Sequence, residues 1–125
     1  MKRREQPDIL FLITSVINEA DLKIIKRKLK KPLNLEIAAT KEMLKIALKS
    51  KPPFVCIVPE KRKEITTEGG LDVKNNETYL KGYVNSLKSS NIEVSAFIDP
   101  VNDQINASGE IGFNFIASPT NFGVK

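Results

Sequence analysis

Short apolar runs rich in β-branched residues alternate along this chain with stretches of about a dozen residues whose apolar positions recur every three or four residues. Residues 9–15 form the first predicted strand, a continuous apolar run of the kind buried on both faces of a parallel sheet. Asn18 or Asp21 can cap a helix reaching about Lys30, with Leu22, Ile25 and Leu29 on one stripe and Lys23, Lys26, Arg27 and Lys30 on the solvated side. Pro32 ends it. Residues 33–38 read as the second strand, with Leu33, Leu35 and Ile37 on one face and Asn34, Glu36 and Ala38 on the other. Thr40 caps a second helix through Ser50 that turns Met43, Leu44, Ala47 and Leu48 inward, and Lys51-Pro52-Pro53 stops it.

Residues 54–58 form the third strand. Between Pro59 and Asn75 the chain is polar and lacks sustained periodicity. Strand-to-helix loops usually run about 2 to 6 residues, so a connection of this length implies function or disorder. Asn76 opens a third helix whose apolar stripe is Tyr79, Leu80, Tyr83, Val84 and Leu87, with Gly82 a local weakness. Residues 92–98 form the fourth strand. Asp99-Pro100 reads as a cap followed by a first-turn proline, opening a shorter helix to about Glu110 with Val101 and Ile105 inward. Residues 113–116 form the last strand, and 119–125 read as a ragged tail. About five parallel strands alternating with four helices define an α/β protein, and right-handed crossovers leave either a small open doubly wound sheet or a partial barrel. The pattern does not separate the two.

Composition narrows the chemistry more than the fold. At 125 residues, 41% apolar and 28% charged, the chain is expected to be a single domain, residues 1–125, with a real core. A complete eight-stranded barrel needs roughly 200 residues or more. With no His, the usual near-neutral general base is missing, which excludes Ser-His-Asp and Cys-His nucleophile systems and imidazole-dependent zinc sites. The single Cys, Cys56, forbids an intrachain disulfide, fits a reducing compartment and reads as a small core residue. Lys plus Arg at 20 against Asp plus Glu at 15 gives +5, a balance suited to nucleic acid or to phosphorylated small molecules. No run approaches the 18 or so apolar residues of a membrane span, and the basic Met1-Lys2-Arg3-Arg4 start leads to Glu5, Pro7 and Asp8. No membrane association and a cytoplasmic location are therefore expected.

Glu36 is the first candidate functional residue, because a carboxylate in a strand of an α/β protein faces a packed layer or a cleft, and burying an unpaired charge is costly. The alternative is an edge carboxylate in water or a structural ion pair. Thr66-Thr67-Glu68-Gly69-Gly70 follows a strand, where α/β folds place ligand sites, and its glycines allow close approach to an anion or a hinge. A solvated flexible loop is the competing reading. The segment is neither a Walker A loop nor a GxGxxG fingerprint. Lys26-Arg27-Lys28-Leu29-Lys30-Lys31 leaves its charges on the outer face of an amphipathic helix with no aromatic platform beside it, so nucleic acid is not an expected partner.

Leu33-Asn34-Leu35-Glu36-Ile37-Ala38-Ala39-Thr40, Glu42-Met43-Leu44, Ile46-Ala47-Leu48, Val58-Pro59-Glu60-Lys61-Arg62, Thr66 to Val73, Phe97-Ile98-Asp99-Pro100 and Gln104-Ile105 stand in an order and spacing that resemble the pyridoxine 5′-phosphate synthase family. The resemblance covers about residues 18–115. It implies a partial (β/α)8 TIM barrel and a transferase of vitamin B6 biosynthesis. That family condenses 1-deoxy-D-xylulose 5-phosphate with 3-amino-2-oxopropyl phosphate to pyridoxine 5′-phosphate. It further implies that Glu36 is a catalytic acid/base and that Thr66 binds the deoxyxylulose phosphate. Residues 60–75, with Thr67, Glu68, Gly69 and Gly70, would form the active-site lid. No cofactor and no metal are implied, and the expected partners are phosphorylated substrates and a homo-oligomer or a complementary chain.

The ends depart from the family. Where a His-Leu-Arg-Glu-Asp-Arg-Arg-His stretch is expected, Ile9 to Val16 stands instead, and after Phe115-Ile116 the family has Glu where this chain has Ala117. The expectation is a truncated, frame-disrupted or diverged piece of the synthase retaining the middle of the barrel, with edges that favour self-association. The alternative function is a catalytically inactive remnant, a scaffold or phosphate-binding α/β module.

Overall fold

The computed structural model describes residues 10–13, 19–28, 32–59 and 69–117. In chain order these form β1 (Leu10–Ile13), α1 (Glu19–Lys28), β2 (Leu33–Ile37), α2 (Lys41–Ser50), β3 (Phe54–Ile57), a 3-10 turn (Lys74–Asn76), α3 (Glu77–Lys88), β4 (Glu93–Phe97), α4 (Asn102–Ile111) and β5 (Phe115–Ala117). The five strands make one sheet in the order β1-β2-β3-β4-β5, and every neighbouring pair is parallel. This order decides between the two arrangements left open above. A doubly wound sheet reverses direction at a switch point, whereas each strand here is added on the same side as the last, so right-handed crossovers put every helix on one face. The sheet is wound as in a TIM barrel.

The helix-covered face carries Leu33, Leu35, Ile37, Val55, Ile57, Val94, Ala96 and Ile98, all buried. Against them pack Leu22 of α1, Ala47 of α2, Leu80, Val84 and Leu87 of α3, and Ala107 and Ile111 of α4, with Met43, Leu44 and Leu48 partly buried around the rim. Burying one such large side chain contributes about 1.5–3 kcal/mol. Strand alternation in β2 therefore falls as the sequence predicts. Local signals hold at the termini of α2: Thr40 accepts from the Met43 N–H at 3.1 Å, and Lys51, at φ 50, closes the other end by donating its N–H to the Ala47 carbonyl.

Two helix readings are corrected. Asp21 lies within α1 rather than capping it, while Asn18, Leu29 and Lys30 fall outside the described residues. In α4, Val101 and Ile105 are exposed, and the inward positions are Gln104, Ala107, Ser108 and Ile111. Asp99-Pro100-Val101 is held in a tight turn by a 2.8 Å bond from the Val101 N–H to the Asp99 carbonyl, so the helix starts later than a first-turn Pro100 requires. The buried stripe then opens on a glutamine, which a search for apolar spacing passes over. On α3, Tyr79 is largely exposed although it sits on the predicted apolar stripe. Its hydroxyl has a different task, given below.

Candidate active site at the carboxyl ends of the strands

The face of the sheet opposite the helix-packed one is a set of levels fixed by the parallel register. At one level, Glu36 of β2 pairs with Cys56 of β3, Cys56 with Ser95 of β4, and Ser95 with Phe115 of β5. One step toward the strand starts, Asn34 pairs with Phe54 and Phe54 with Glu93. Period-two alternation dictates this grouping, because any residue that sends its neighbours into the helix-packed core must itself face the other way.

Glu36 is half-buried, and burial pushes its carboxyl above the ordinary value of 4.5. A carboxyl in that state holds its proton closer to neutral pH, as a general acid/base must. Cys56 beside it is buried, and its thiol is pushed up to about 11. Burial is the main cause, a hydrogen bond with the Ser95 side chain opposes it, and the Glu36 charge adds to it. The thiol is therefore protonated and unreactive at neutral pH. Asn34 is buried, and its Oδ1 has no hydrogen-bond partner among the described residues. Ala117, where the family resemblance calls for Glu, pairs with Phe97 at the end of β5. Among the described residues, no group of three or more His, Cys, Asp or Glu side chains comes together as a metal site would require.

Two tyrosines of α3 hold the connection that follows Glu36. Tyr83 donates its hydroxyl to the Thr40 carbonyl at 2.8 Å, with the Ala38 carbonyl at 3.3 Å, and Tyr79 donates to the Ala39 carbonyl at 2.6 Å. Their rings lie 5.9 Å apart. The strand end bearing Glu36 is thus tied to a helix more than forty residues downstream in the chain, at separations of 43 and 45 residues for Tyr83. Phenol rings at helical spacing read as core in the sequence, and only a contact across the fold reveals what the hydroxyls do.

Thr66, Thr67 and Glu68 lie outside the described residues; Gly69 and Gly70 are described. Gly69 has φ +102, in the region that favours glycine. Gly70 is demanded by close approach: a Cβ there would come 2.5 Å from the Asp99 nitrogen and 2.8 Å from the Ile98 carbonyl carbon. Immediately after it, the Leu71 N–H donates to the Phe97 carbonyl at 2.7 Å, joining this segment to the end of β4.

Gln104, missed as a functional candidate, fastens the same segment to α4. Its Oε1 accepts from the Val73 and Lys74 N–H groups at 2.8 and 3.2 Å, and its Nε2 donates to Asp72 at 3.0 Å. Burial tends to raise the Asp72 carboxyl, but hydrogen bonds from the Asn75 and Gln104 side chains and the Asn75 N–H outweigh it and hold the group below the usual carboxylate range.

A singly wound parallel sheet, helices on one face and a half-buried carboxyl near the carboxyl end of a strand define a segment of TIM barrel with Glu36 at the end of the sheet where such barrels place their chemistry. Comparison with known proteins agrees. The model of the family described as pyridoxal phosphate biosynthesis protein PdxJ matches residues 14–121, and the chain belongs to that family. The pyridoxine 5′-phosphate synthase of Prochlorococcus marinus subsp. pastoris is 72% identical over 100 residues, covering 80% of this chain and 42% of the relative. That of Synechocystis sp. is 53% identical over 100 residues, covering 80% and 41%. That of Ehrlichia chaffeensis is 52% identical over 95 residues, covering 76% and 40%. The matched stretch thus spans about 42% of the length of the first of these relatives.

Proposed function

We propose that this chain carries the Glu36 acid/base centre of pyridoxine 5′-phosphate synthesis, the condensation of 1-deoxy-D-xylulose 5-phosphate with 3-amino-2-oxopropyl phosphate. The observation that carries the reading is Glu36 itself: a half-buried carboxyl, raised by burial, near the carboxyl end of a parallel strand in a PdxJ-family chain. Condensation and ring closure require protons to be removed and returned at successive carbon and oxygen atoms, and raising a carboxyl's pKa by burial brings it closer to the pH at which it does both. Thr66 binds the deoxyxylulose phosphate, and residues 60–75, including Thr67, Glu68, Gly69 and Gly70, close over the site to exclude water. Their anchorage at Gly70, Leu71 and Val73 gives such a segment a fixed base.

The net charge of +5 suits two reactants that each carry one phosphate. Among the described residues no helix is long and apolar enough to cross a membrane, and the proposed compartment is the cytoplasm. Among the described residues β1 and β5 are each hydrogen-bonded on one side only, which favours a homo-oligomer or a complementary chain as partner.

A second reading, a phosphate-binding module without turnover, is favoured by the absence of His from the chain. One assay separates them. Formation of pyridoxine 5′-phosphate from the two substrates should fall about 10²- to 10⁴-fold in Glu36→Gln, and equal turnover in both proteins refutes the role of Glu36. Absence of product from either, with calorimetric binding of deoxyxylulose phosphate that Thr66→Ala weakens, establishes the second reading instead.

A further inference from the structure

Glu36 stands next to the last residue of β2, and the bond from the Val58 N–H to the Ile37 carbonyl at 2.9 Å marks where that strand leaves the sheet. The Ala38, Ala39 and Thr40 carbonyls lie past the paired residues, where a strand end frays most readily. All three meet phenol hydroxyls of α3. Tyr79 donates to Ala39 at 2.6 Å, and Tyr83 donates to Thr40 at 2.8 Å with Ala38 at 3.3 Å.

The two tyrosines differ in what else they do. Tyr83 belongs to the core, so its ring stabilises the fold whatever its hydroxyl touches. Tyr79 is 48% exposed, so its ring adds little burial, yet its hydroxyl makes the shortest of the three contacts. A ring half in water and aimed at a backbone carbonyl 40 residues earlier in the chain acts through its polar tip. The helix that carries it is firmly seated. Leu80, Val84 and Leu87 are buried, the Val73 and Lys74 N–H groups donate to Gln104, and the Asn76 side chain donates to the Asp72 carbonyl at 2.7 Å. A contact made from a packed helix can fix a strand end with the precision that a reacting carboxyl requires.

We propose that Tyr79 is a positioning residue for Glu36: its hydroxyl, together with that of Tyr83, holds the 38–40 connection so that the Glu36 carboxyl keeps its half-buried place on the sheet. The consequence for turnover rests on the acid/base reading of Glu36, whereas the placement is measurable without turnover.

The charged and titratable groups around Glu36 are known from the register. Ile13 of β1 stands on one side and Cys56 of β3 on the other, with Ser95 beyond. Two strands away, Glu93 begins β4 and Asp99 follows its end, while Lys41 and Glu42 open α2 and Glu77 opens α3. The Cys56 thiol, pushed up to about 11, keeps its proton while Glu36 titrates. None of these groups changes in the variants below, so a shift reports the setting of the Glu36 carboxyl.

Carbon-13 NMR of the side-chain carboxyl follows that titration in the full chain, with Glu36→Gln assigning the signal. Tyr79→Phe keeps the ring and removes only the hydroxyl. The strand end should then loosen and admit water, and the Glu36 midpoint should fall from its raised value toward 4.5. Ser86→Ala removes a hydroxyl elsewhere on α3, one that donates to the Gly82 carbonyl at 3.1 Å, and should leave the midpoint in place. Circular dichroism should report an intact fold in both variants. With product formed by the parent chain, kcat in Tyr79→Phe should fall about tenfold, and KM for deoxyxylulose phosphate should stay within about twofold. An unmoved midpoint in Tyr79→Phe overturns the proposal, as does an equal shift in Ser86→Ala or, with the parent active, an unchanged kcat. No product from the parent chain refutes the proposed function alone, because the titration still decides the role of Tyr79.

Discussion

Replacing Gly70 by Ala puts a methyl group where the turn after β4 already stands. The new Cβ would lie 2.5 Å from the Asp99 nitrogen, 2.8 Å from the Ile98 carbonyl carbon and 3.0 Å from the Asp99 Oδ1. Optimal contacts between heavy atoms are about 3.5–4.0 Å, so the overlap is roughly 1 Å. Neither side yields easily. Ile98 and Asp99 are buried, and Gly70 is followed by N–H groups that fasten Leu71 to the Phe97 carbonyl and Val73 to the Gln104 side-chain oxygen. Overpacking of this kind costs about 1–3 kcal/mol, and opposition by backbone atoms puts Gly70→Ala at the upper end, near 3 kcal/mol. For a chain of 125 residues that corresponds to a fall in Tm of about 10 °C. Urea unfolding should show a lower midpoint with an unchanged m-value. Gly82→Ala provides the contrast. It sits in α3 with nothing within 4 Å of its Cβ, and the same chemical change there should stabilise by about 0.5–1 kcal/mol. A Gly70→Ala protein within about 0.5 kcal/mol of the parent would refute the close-approach argument.

Tyr83→Phe removes the hydroxyl that serves the Thr40 and Ala38 carbonyls and should cost about 1–2 kcal/mol in urea unfolding; an unchanged midpoint would show that those carbonyls are satisfied without it. Burial raises the Glu36 carboxyl above 4.5, so the folded state keeps that proton longer than the unfolded chain. Stability must then fall as pH rises from that value through the raised one, and Glu36→Gln should flatten this part of the profile and be relatively more stable at neutral pH. Unfolding measured from about pH 4 to pH 8 checks the sign, and parallel curves for the two proteins would count against it.

Much of this protein was legible from local pattern. Alternation in Leu33-Asn34-Leu35-Glu36-Ile37 predicted which side chains enter the core, and it placed Glu36 on the opposite face. Thr40 and Pro52 bounded α2, because capping and proline effects act within one helical turn. The order of motifs from Leu33 to Ile105 carries the family resemblance in the sequence itself, and the family model matches residues 14–121. Where the pattern misled, a polar residue was working inside the fold. Gln104 begins the buried stripe of α4, so apolar spacing selected Val101 and Ile105, which face solvent.

What the sequence determined by itself is therefore what depends on neighbours a few residues away: the strand and helix periods, the caps and the face each residue occupies. Tertiary structure decided the rest. Whether the sheet winds one way or two depends on strand order, which no local period encodes. The level shared by Glu36, Cys56 and Ser95 depends on parallel register between segments separated by two crossovers. The need for glycine at position 70 comes from backbone at positions 98 and 99, and the clamp on the strand end beyond Glu36 comes from hydroxyls on α3. These contacts are close in space and distant in sequence, so only folding brings the groups together.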